Sequence, residues 1–266
     1  MSSPIITLTT DYGFNDYLVG TLKGVILKIN PDATIVDVTH SVAPYDVMDG
    51  ALAIAAAYRY FPPKTIHVVI VDPGVGSERR PLLVSGETQL FVAPDNGVLS
   101  LVYENETYLT VRSITAEHYF IQPVSRTFHG RDVFAPVAAW LSKTWQMSSF
   151  GEEIQDFKRF SLPKPRVAEG QLNGLVLRVD TFGNLMTNFT PADLPDMTTK
   201  DGKLRIQVGD KEVNRLVGTF TEGEPGEPVA MIGSSGFIEI VVNKGNASRT
   251  LGANRGAAVA IPIPAP

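Results

Sequence analysis

Several residue types that build functional sites are scarce or missing from this 266-residue chain. It has no cysteine, which excludes a disulfide framework and a thiolate metal site. Cysteine pairing therefore gives no indication of the cellular compartment. It has four histidines, His40, His67, His118 and His129. The net charge of -5 and the scattered lysines and arginines argue against nucleic acid as a partner, because phosphate binding needs a basic face. A small molecule, and a cationic one in particular, suits this composition better.

Long apolar runs are also missing. The most apolar run, "ALAIAAAYRYF" at 51–61, is interrupted by Arg59 and is too short for a membrane span. The first residues, "MSSPIITLTTDYG", lack the basic and apolar regions of a signal peptide. We therefore expect a soluble, cytoplasmic protein that does not bind membranes.

The familiar phosphate-binding motifs are not present. The segment "GVGSER" at 74–79 lacks the third glycine of a dinucleotide-binding loop, and GxxxxGK[ST] does not occur. Nucleotide phosphates are therefore not the evident ligand.

What the sequence does contain is an alternation of strand-like and helix-like periods in its first half. Predicted strands at 5–10, 33–39 and 65–71 alternate with helices that open near Asp16 and at Asp46. Two short strands follow, and a last helix is predicted at 132–145, which completes a domain at 1–160. The expected fold class is α/β, beginning with a Rossmann-like domain around a mostly parallel sheet.

The second half of the sequence differs in composition and periodicity. Prolines, charges and glycines without periodicity in "FSLPKPRVAEGQLNG" predict a linker at 160–174. Short strands separated by turn-rich clusters follow, for example at 203–208 and 236–242. They predict a compact antiparallel barrel or sandwich, and we expect a smaller C-terminal antiparallel β-barrel domain at 172–266.

Two acids stand where parallel strands end. Asp11 follows "IITLTT", and Asp72 follows "IHVVIV" and opens "DPGVGSERR". Side chains at these strand ends enter the crevice where open α/β sheets bind ligands. Asp11 fits either a turn or helix cap or the carboxylate that accepts hydrogen bonds from a ribose diol. For Asp72, a glycine turn would explain the proline and glycines but does not require the acid.

Three further segments allow both a structural and a functional interpretation. His129, in "RTFHGRD", lies on a loop among Arg126, Arg131 and Asp132, where an imidazole can act as acid, base or donor. The segment "VDTFGNLMTN" is either a hairpin built on a glycine or a purine site with a stacking ring and an amide. The segment "GSSGFIEI" is either a turn or a carboxylate site.

Together these segments resemble one family. In order along the chain, "TTDYGFNDYLVGTLKG", "DVTHSVAPYDV", "VDPGVGSERR", "APDNG", "TFHGRDVFAP", "DTFGN", "TN" and "GSSGFIEI" are similar to the S-adenosyl-L-methionine (SAM) hydroxide adenosyltransferases. These SAM hydrolases are related to the fluorinase and chlorinase. The likeness runs from about Ile5 to Ile261 and is more specific than any single motif.

The resemblance implies an activity and a set of residues. The family splits SAM with water into adenosine and L-methionine, with an Asp, Arg and His set that corresponds here to Asp72, Arg79 and His129. It implies no cofactor and no metal, and SAM itself is the substrate. It also implies a homotrimer with each site shared between the first domain of one subunit and the second domain of its neighbour.

The same resemblance implies roles in substrate binding. Asp11 would hold the ribose diol, and the remaining positions would contact the sugar, adenine or methionine parts of SAM. They are Tyr45 and Phe128 near the sugar and adenine, Asp16 and Asp180 at the amino-acid end, Phe182 and Asn184 at the adenine, and Ser234, Ser235 and Glu239 around the methionine. The halide-using relatives carry an arginine at the position of Ser235.

Two other functions are open to the sequence. A halide adenosyltransferase would place chloride or fluoride where the water lies, but the charge of Asp72 repels a desolvated anion, and the halide-using relatives have an uncharged residue there. A protein that binds SAM or adenosine without turnover is the second alternative, and a sensor does not need the set formed by Asp72, Arg79 and His129.

Overall fold

The computed structural model describes residues 3–194 and 204–263. The chain divides into two compact units, Met1–Ser161 and Leu162–Pro266. In the described ranges, no helix is both long enough and apolar enough to cross a membrane.

The first unit is built on a six-stranded sheet. Its strands are β1 (Ile5–Thr10), β2 (Thr34–Thr39), β3 (Ile66–Ile70), β4 (Pro81–Ser85), β5 (Leu90–Pro94) and β6 (Thr110–Ser113). Its α-helices are α1 (Leu18–Ile29), α2 (Val47–Ala57), α3 (Ser100–Asn105) and α4 (Ala135–Thr144). The strand order is β2-β1-β3-β5-β4-β6, and only β4 runs antiparallel to its neighbours. The expected α/β fold with a mostly parallel sheet is confirmed.

The central strand β3 shows why the sheet lies in the middle of this unit. Every residue of "IHVVI" is buried. Val68 and Ile70 belong to a core cluster with residues of α1 and α4, whereas Val69 and Val71 belong to a second cluster with residues of α2 and α3. A strand that is buried on both faces loses the alternation of polar and apolar residues, as is typical of parallel sheets.

The helices begin close to where the sequence predicts. The side chain of Asp46 accepts a hydrogen bond from the backbone N–H of Asp49 and caps α2. The predicted helix at 132–145 instead begins with a π-helical turn, Gly130–Phe134, before α4. This irregular turn follows His129 directly, and π-turns are common at functional sites.

The second unit contains a nine-stranded, mostly antiparallel sheet. Its elements are β7 (Arg166–Ala168), β8 (Gln171–Val179), β9 (Leu185–Thr187), β10 (Ile206–Val208), β11 (Lys211–Val213), β12 (Leu216–Val217), β13 (Pro228–Ile232), β14 (Ile238–Val242), α5 (Ala247–Leu251) and β15 (Ala258–Pro262). The order is β11-β10-β15-β8-β9-β14-β13-β12, with β7 on β8. The parallel pair is β12 with β13. This agrees with the antiparallel β domain expected from the sequence.

The linker predicted at 160–174 is wrong in its second half. There β7 pairs with the start of β8 in a hairpin. Glu169 and Gly170 form its two-residue turn with φ of 54° and 71°, as a primed hairpin turn requires. The two residues "EG" therefore close a hairpin, and composition alone did not distinguish this turn from a flexible segment. The predicted strand at 203–208 starts on Lys203, which lies outside the described residues, and is observed from Ile206.

Candidate active site

Two carboxylates meet at one edge of the parallel sheet. The strands β1 and β3 are neighbours, with Thr10 opposite Ile70. Asp11 follows the first strand directly, and Asp72 lies two residues beyond the second. The strand ends therefore bring the two acids together, and the negative charge of Asp72 contributes to raising the pKa of Asp11, although burial is the larger cause.

Asp72 is held by the arginine seven positions later. Arg79 Nε donates to Asp72 Oδ1 over 2.9 Å, and Arg79 Nη2 donates to Oδ2 in a short contact. The side chains of Arg79 and Asp72 are only 4% and 5% exposed. The loop between them turns back through a hydrogen bond from Ser77 N to Gly74 O. A buried carboxylate of this kind needs a bidentate partner, because an unpaired buried charge is costly.

His129 completes a contiguous set of three side chains. Its Nδ1 lies 2.8 Å from Arg79 Nη2. Because a guanidinium has no acceptor, Nδ1 must accept this hydrogen bond. Burial lowers the pKa of His129, and the positive charge of Arg79 lowers it further. The neutral ring therefore carries its hydrogen on Nε2, which is left as a donor.

A glycine allows the two loops of this site to touch. Gly76 has a φ of +78°, and a Cβ built there would lie 2.2 Å from the backbone oxygen of Arg126. The loop that carries Arg79 thus packs against the backbone of the loop that carries His129. The glycines of "DPGVG" predict a turn, but this contact does not follow from the sequence, since the other loop is about fifty residues away in the chain.

Buried Asp132 braces the loop that carries His129. It is fully buried and accepts hydrogen bonds from Ser125 N, at 2.8 Å, and from its neighbour Arg131. The Arg131 guanidinium lies over the ring of Phe128 at 5.3 Å. The polar residues that flank His129 in the sequence therefore hold its loop, and Phe128 is packed beneath an arginine instead of being open to solvent.

The other predicted residues of the first unit lie at its surface. Tyr45 is 75% exposed and has a φ of 66°, and its N–H donates to Asp11 Oδ2 at 2.9 Å. Asp16 is exposed and accepts from the N–H of Tyr17 at 2.6 Å. Asp11 therefore already holds a turn, and its half-buried carboxylate has acceptor capacity left.

In the second unit, Asp180 organises the turn between β8 and β9. Its Oδ1 accepts from the N–H groups of Phe182 and Asn184, and its Oδ2 accepts from Asn184 Nδ2 at 2.8 Å. The side chain of Asn184 is buried, whereas Phe182 is 75% exposed. Gly183 has a φ of +85°, and its missing Cβ leaves room for the amide of Asn246. The hairpin interpretation of this segment is thus confirmed as local structure, and it presents an open aromatic ring beside a fixed amide.

The remaining predicted residues lie around the turn between β13 and β14. Ser234 and Ser235 are exposed in a turn closed by a hydrogen bond from Gly236 N to Gly233 O. Glu239 is half-buried over Gly233, where a Cβ would collide with its Oε1. The pKa of Glu239 is raised, first by burial and then by the charge of Asp180. Asp180 and Glu239 therefore form an acidic pair within this unit, which suits a cationic ligand.

No cluster of three or more histidine, aspartate or glutamate side chains that could hold a metal ion occurs within residues 3–194 and 204–263.

The chain matches one known protein family over most of its length. Residues 6–151 match the SAM hydroxide adenosyltransferase N-terminal domain, and residues 174–260 match the C-terminal domain of the same family. The chain is 35% identical over 258 residues to an (R)-S-adenosyl-L-methionine hydrolase of Salinispora tropica, covering 96% of each protein. It is 30% identical over 278 residues to a fluorinase of Actinoplanes sp., covering 91% of each.

A solved structure shares the fold. The crystal structure of an uncharacterized conserved protein from Thermotoga maritima superimposes with a TM-score of 0.89 at 37% identity. The match covers 96% of this chain and 99% of that one.

Proposed function

Because the chain belongs to the SAM hydroxide adenosyltransferase family, we propose that it hydrolyses S-adenosyl-L-methionine to adenosine and L-methionine. The observation that carries this proposal is the hydrogen-bonded set of Asp72, Arg79 and His129 at the edge of the parallel sheet, in which the side chains of Asp72 and Arg79 are buried. Among the relatives, this chain is similar to (R)-S-adenosyl-L-methionine hydrolases and to fluorinases. The chemistry of the three side chains favours water over halide.

The reaction needs a positioned water more than it needs a strong acid. A bond forms between the water oxygen and C5′ of the ribose, and the bond between C5′ and sulfur breaks. Its electron pair goes to sulfur, so the positive sulfonium leaves as the neutral thioether of methionine. Because the sulfonium is already a good leaving group, the proposal requires neither a cofactor nor a metal.

The three side chains divide the work on the water. Asp72 accepts the proton that the water loses, Arg79 holds this carboxylate in place, and His129 donates from Nε2 to the water oxygen. We assign the proton to Asp72 because Nδ1 of His129 is occupied by Arg79, and Nε2 of the neutral ring already carries a hydrogen. His129 thus orients the oxygen without deprotonating it.

The same carboxylate argues against a halide reaction. The side chain of Asp72 is only 5% exposed, so a desolvated chloride or fluoride at the water position would be repelled by its carboxylate. The fluorinase-like alternative therefore requires this acid to be neutral or displaced.

The substrate contacts follow from the family resemblance. We propose that Asp11 accepts hydrogen bonds from the ribose diol and that Tyr45 and Phe128 lie near the sugar and adenine. Phe182 and Asn184 would contact the adenine, whereas the other acids and hydroxyls would surround the methionine part. They are Asp16, Asp180, Ser234, Ser235 and Glu239.

The predicted residues are distributed over both compact units, which motivates an assembly hypothesis. We propose a homotrimer in which each site combines the first domain of one subunit with the second domain of a neighbour. Mixing Asp72→Ala subunits with Asn184→Ala subunits should then restore part of the activity, because some sites would combine two intact halves. A protein that is fully active and that light scattering shows to be a monomer would contradict this assembly.

The expected cytoplasmic location stays a prediction that cell fractionation would test.

The decisive test of the reaction uses oxygen-18 water. Direct attack of water on C5′ places the label in the 5′-hydroxyl of adenosine and none in methionine. A parallel incubation with SAM and high chloride or fluoride should yield adenosine and no 5′-halo-5′-deoxyadenosine. The proposed hydrolase would be wrong if the label appeared in methionine, if halogenated product dominated, or if SAM bound without turnover.

A further inference from the structure

Tyr12 lies next to the proposed reaction site and is outside the set of site residues predicted from the sequence. It follows Asp11 at the end of β1, and its ring packs edge-on against Phe128 with centroids 6.0 Å apart. Its hydroxyl lies over Gly130, where a Cβ would be only 2.5 Å from the oxygen. Gly130 is the residue after His129, so the phenol oxygen reaches the loop that carries the imidazole.

The hydroxyl of Tyr12 has no hydrogen-bond partner within the described parts of the chain, 3–194 and 204–263. The pKa of Tyr12 is raised, first by burial and then by the charges of Asp11 and Asp72. The phenol therefore stays protonated and keeps its lone pairs available as acceptors.

An attacking water needs one more acceptor than Asp72 and His129 provide. One lone pair of its oxygen must face C5′, and the other can accept from Nε2 of His129. Both of its hydrogens need acceptors if the water is to be held in one orientation. Asp72 can take one of them, and His129 can take neither, because its Nδ1 faces Arg79.

We propose that Tyr12 is a further catalytic residue, whose hydroxyl oxygen accepts the second hydrogen of the attacking water and so helps to aim its lone pair at C5′. The inference rests on the proposed hydrolysis of SAM and adds a fourth group to it. The glycine at position 130 is then required, since any side chain there would displace the phenol oxygen.

The product offers a readout that does not depend on turnover. In adenosine, the 5′-hydroxyl is the oxygen that attacked, so it occupies the position of the water. Tyr12→Phe removes one hydroxyl and keeps the ring that packs on Phe128. We expect this variant to bind adenosine about tenfold more weakly and 5′-deoxyadenosine as well as the parent does, as loss of one hydrogen bond implies. We also expect kcat to fall about tenfold or more with KM for SAM nearly unchanged.

Tyr103→Phe is the matched control. Tyr103 is buried, also packs edge-on against a phenylalanine, Phe157, at 4.8 Å, and lies in α3. It should bind both nucleosides and turn over SAM like the parent. Equal losses for adenosine and 5′-deoxyadenosine in Tyr12→Phe, or an unchanged kcat, would overturn the role of Tyr12. If instead the parent protein forms no adenosine from SAM, the proposed function fails and the binding comparison still decides whether Tyr12 contacts the 5′-oxygen.

Discussion

Arg79 lies between Asp72 and His129 and contacts both, with its Nη2 2.8 Å from the imidazole Nδ1. One guanidinium thus orients a carboxylate and selects the tautomer of a histidine.

The first prediction is that His129 is neutral at pH 7 with its hydrogen on Nε2, because Nδ1 is an acceptor and the pKa of the ring is lowered. Nitrogen-15 NMR of the ring distinguishes this tautomer from the other. In Arg79→Lys the single ammonium cannot hold both partners, so a mixture of tautomers should appear. A parent spectrum with the hydrogen on Nδ1 would contradict this arrangement.

The second prediction concerns the charge of Asp72. Asp72→Ala should slow the chemical step by roughly 10²–10⁴-fold and leave SAM binding largely intact, which is the usual effect of losing a positioned base. Asp72→Asn keeps the shape and removes the charge, and it should admit chloride where the carboxylate excludes it. Single-turnover kinetics and chromatography of the products measure both effects. A variant with parental turnover would show that another group accepts the proton.

The third prediction tests the contact between the two loops of the site. Gly76→Ala places a Cβ 2.2 Å from the backbone oxygen of Arg126, so the loops must separate. Because misplacing catalytic groups by about 1 Å can cost on the order of 10²-fold in rate, kcat should fall by at least about tenfold. Gly170→Ala is the matched control, since Gly170 also has a positive φ, +71°, but has nothing within 4 Å. If both variants lose the same stability and neither loses activity, the contact has no functional role.

The fourth prediction concerns the ribose diol. If Asp11 accepts hydrogen bonds from both hydroxyls, Asp11→Ala should weaken adenosine binding by about 1.5–3 kcal/mol. The variant also loses the contact to Tyr45 N, so the loss of affinity alone does not identify the cause. Calorimetry with 2′-deoxyadenosine and 3′-deoxyadenosine separates the two, because each analogue should lose less in the variant than in the parent. Equal losses in both proteins would indicate a purely structural Asp11.

The fifth prediction is a pH dependence of stability that arises outside the site. His67 is fully buried in β3. Its Nδ1 forms a hydrogen bond with Thr7 Oγ1 over 2.7 Å, and its ring stacks on Phe91. Burial lowers its pKa from 6.5 to about 4. As the pH falls, the unfolded chain therefore binds a proton at His67 before the folded chain does. The contribution of the neutral ring to the free energy of unfolding is fully present above pH 6.5 and is lost as the pH falls toward 4. The loss reaches about 3 kcal/mol.

Denaturant titrations at several pH values between 7 and 4 measure this loss. His67→Gln should show a smaller decline than the parent, whatever its stability at pH 7. His118→Gln removes an exposed histidine and should decline like the parent. Identical slopes for all three proteins would show that His67 does not titrate as its burial requires.

The sequence determined the order of the elements and the ends of the strands where the site forms. Alternating strand and helix periods predicted a mostly parallel sheet with Asp11 and Asp72 each at a strand end, and the observed pairing of β1 with β3 brings these two ends side by side. The N-cap at Asp46 followed from local chemistry and is confirmed. The hairpin at Glu169 and Gly170 was missed, because the prolines, charges and glycines around it also suit a flexible linker.

Only the tertiary structure decided how the side chains meet. The contact of Arg79 with both partners, the approach of Gly76 to Arg126, and the hydroxyl of Tyr12 over Gly130 all join segments far apart in the chain. No local period encodes such distances, because they depend on how two loops pack on the same sheet edge. The tautomer of His129 is the clearest case: its sequence neighbours are polar residues, but the hydrogen position follows from an arginine fifty residues away.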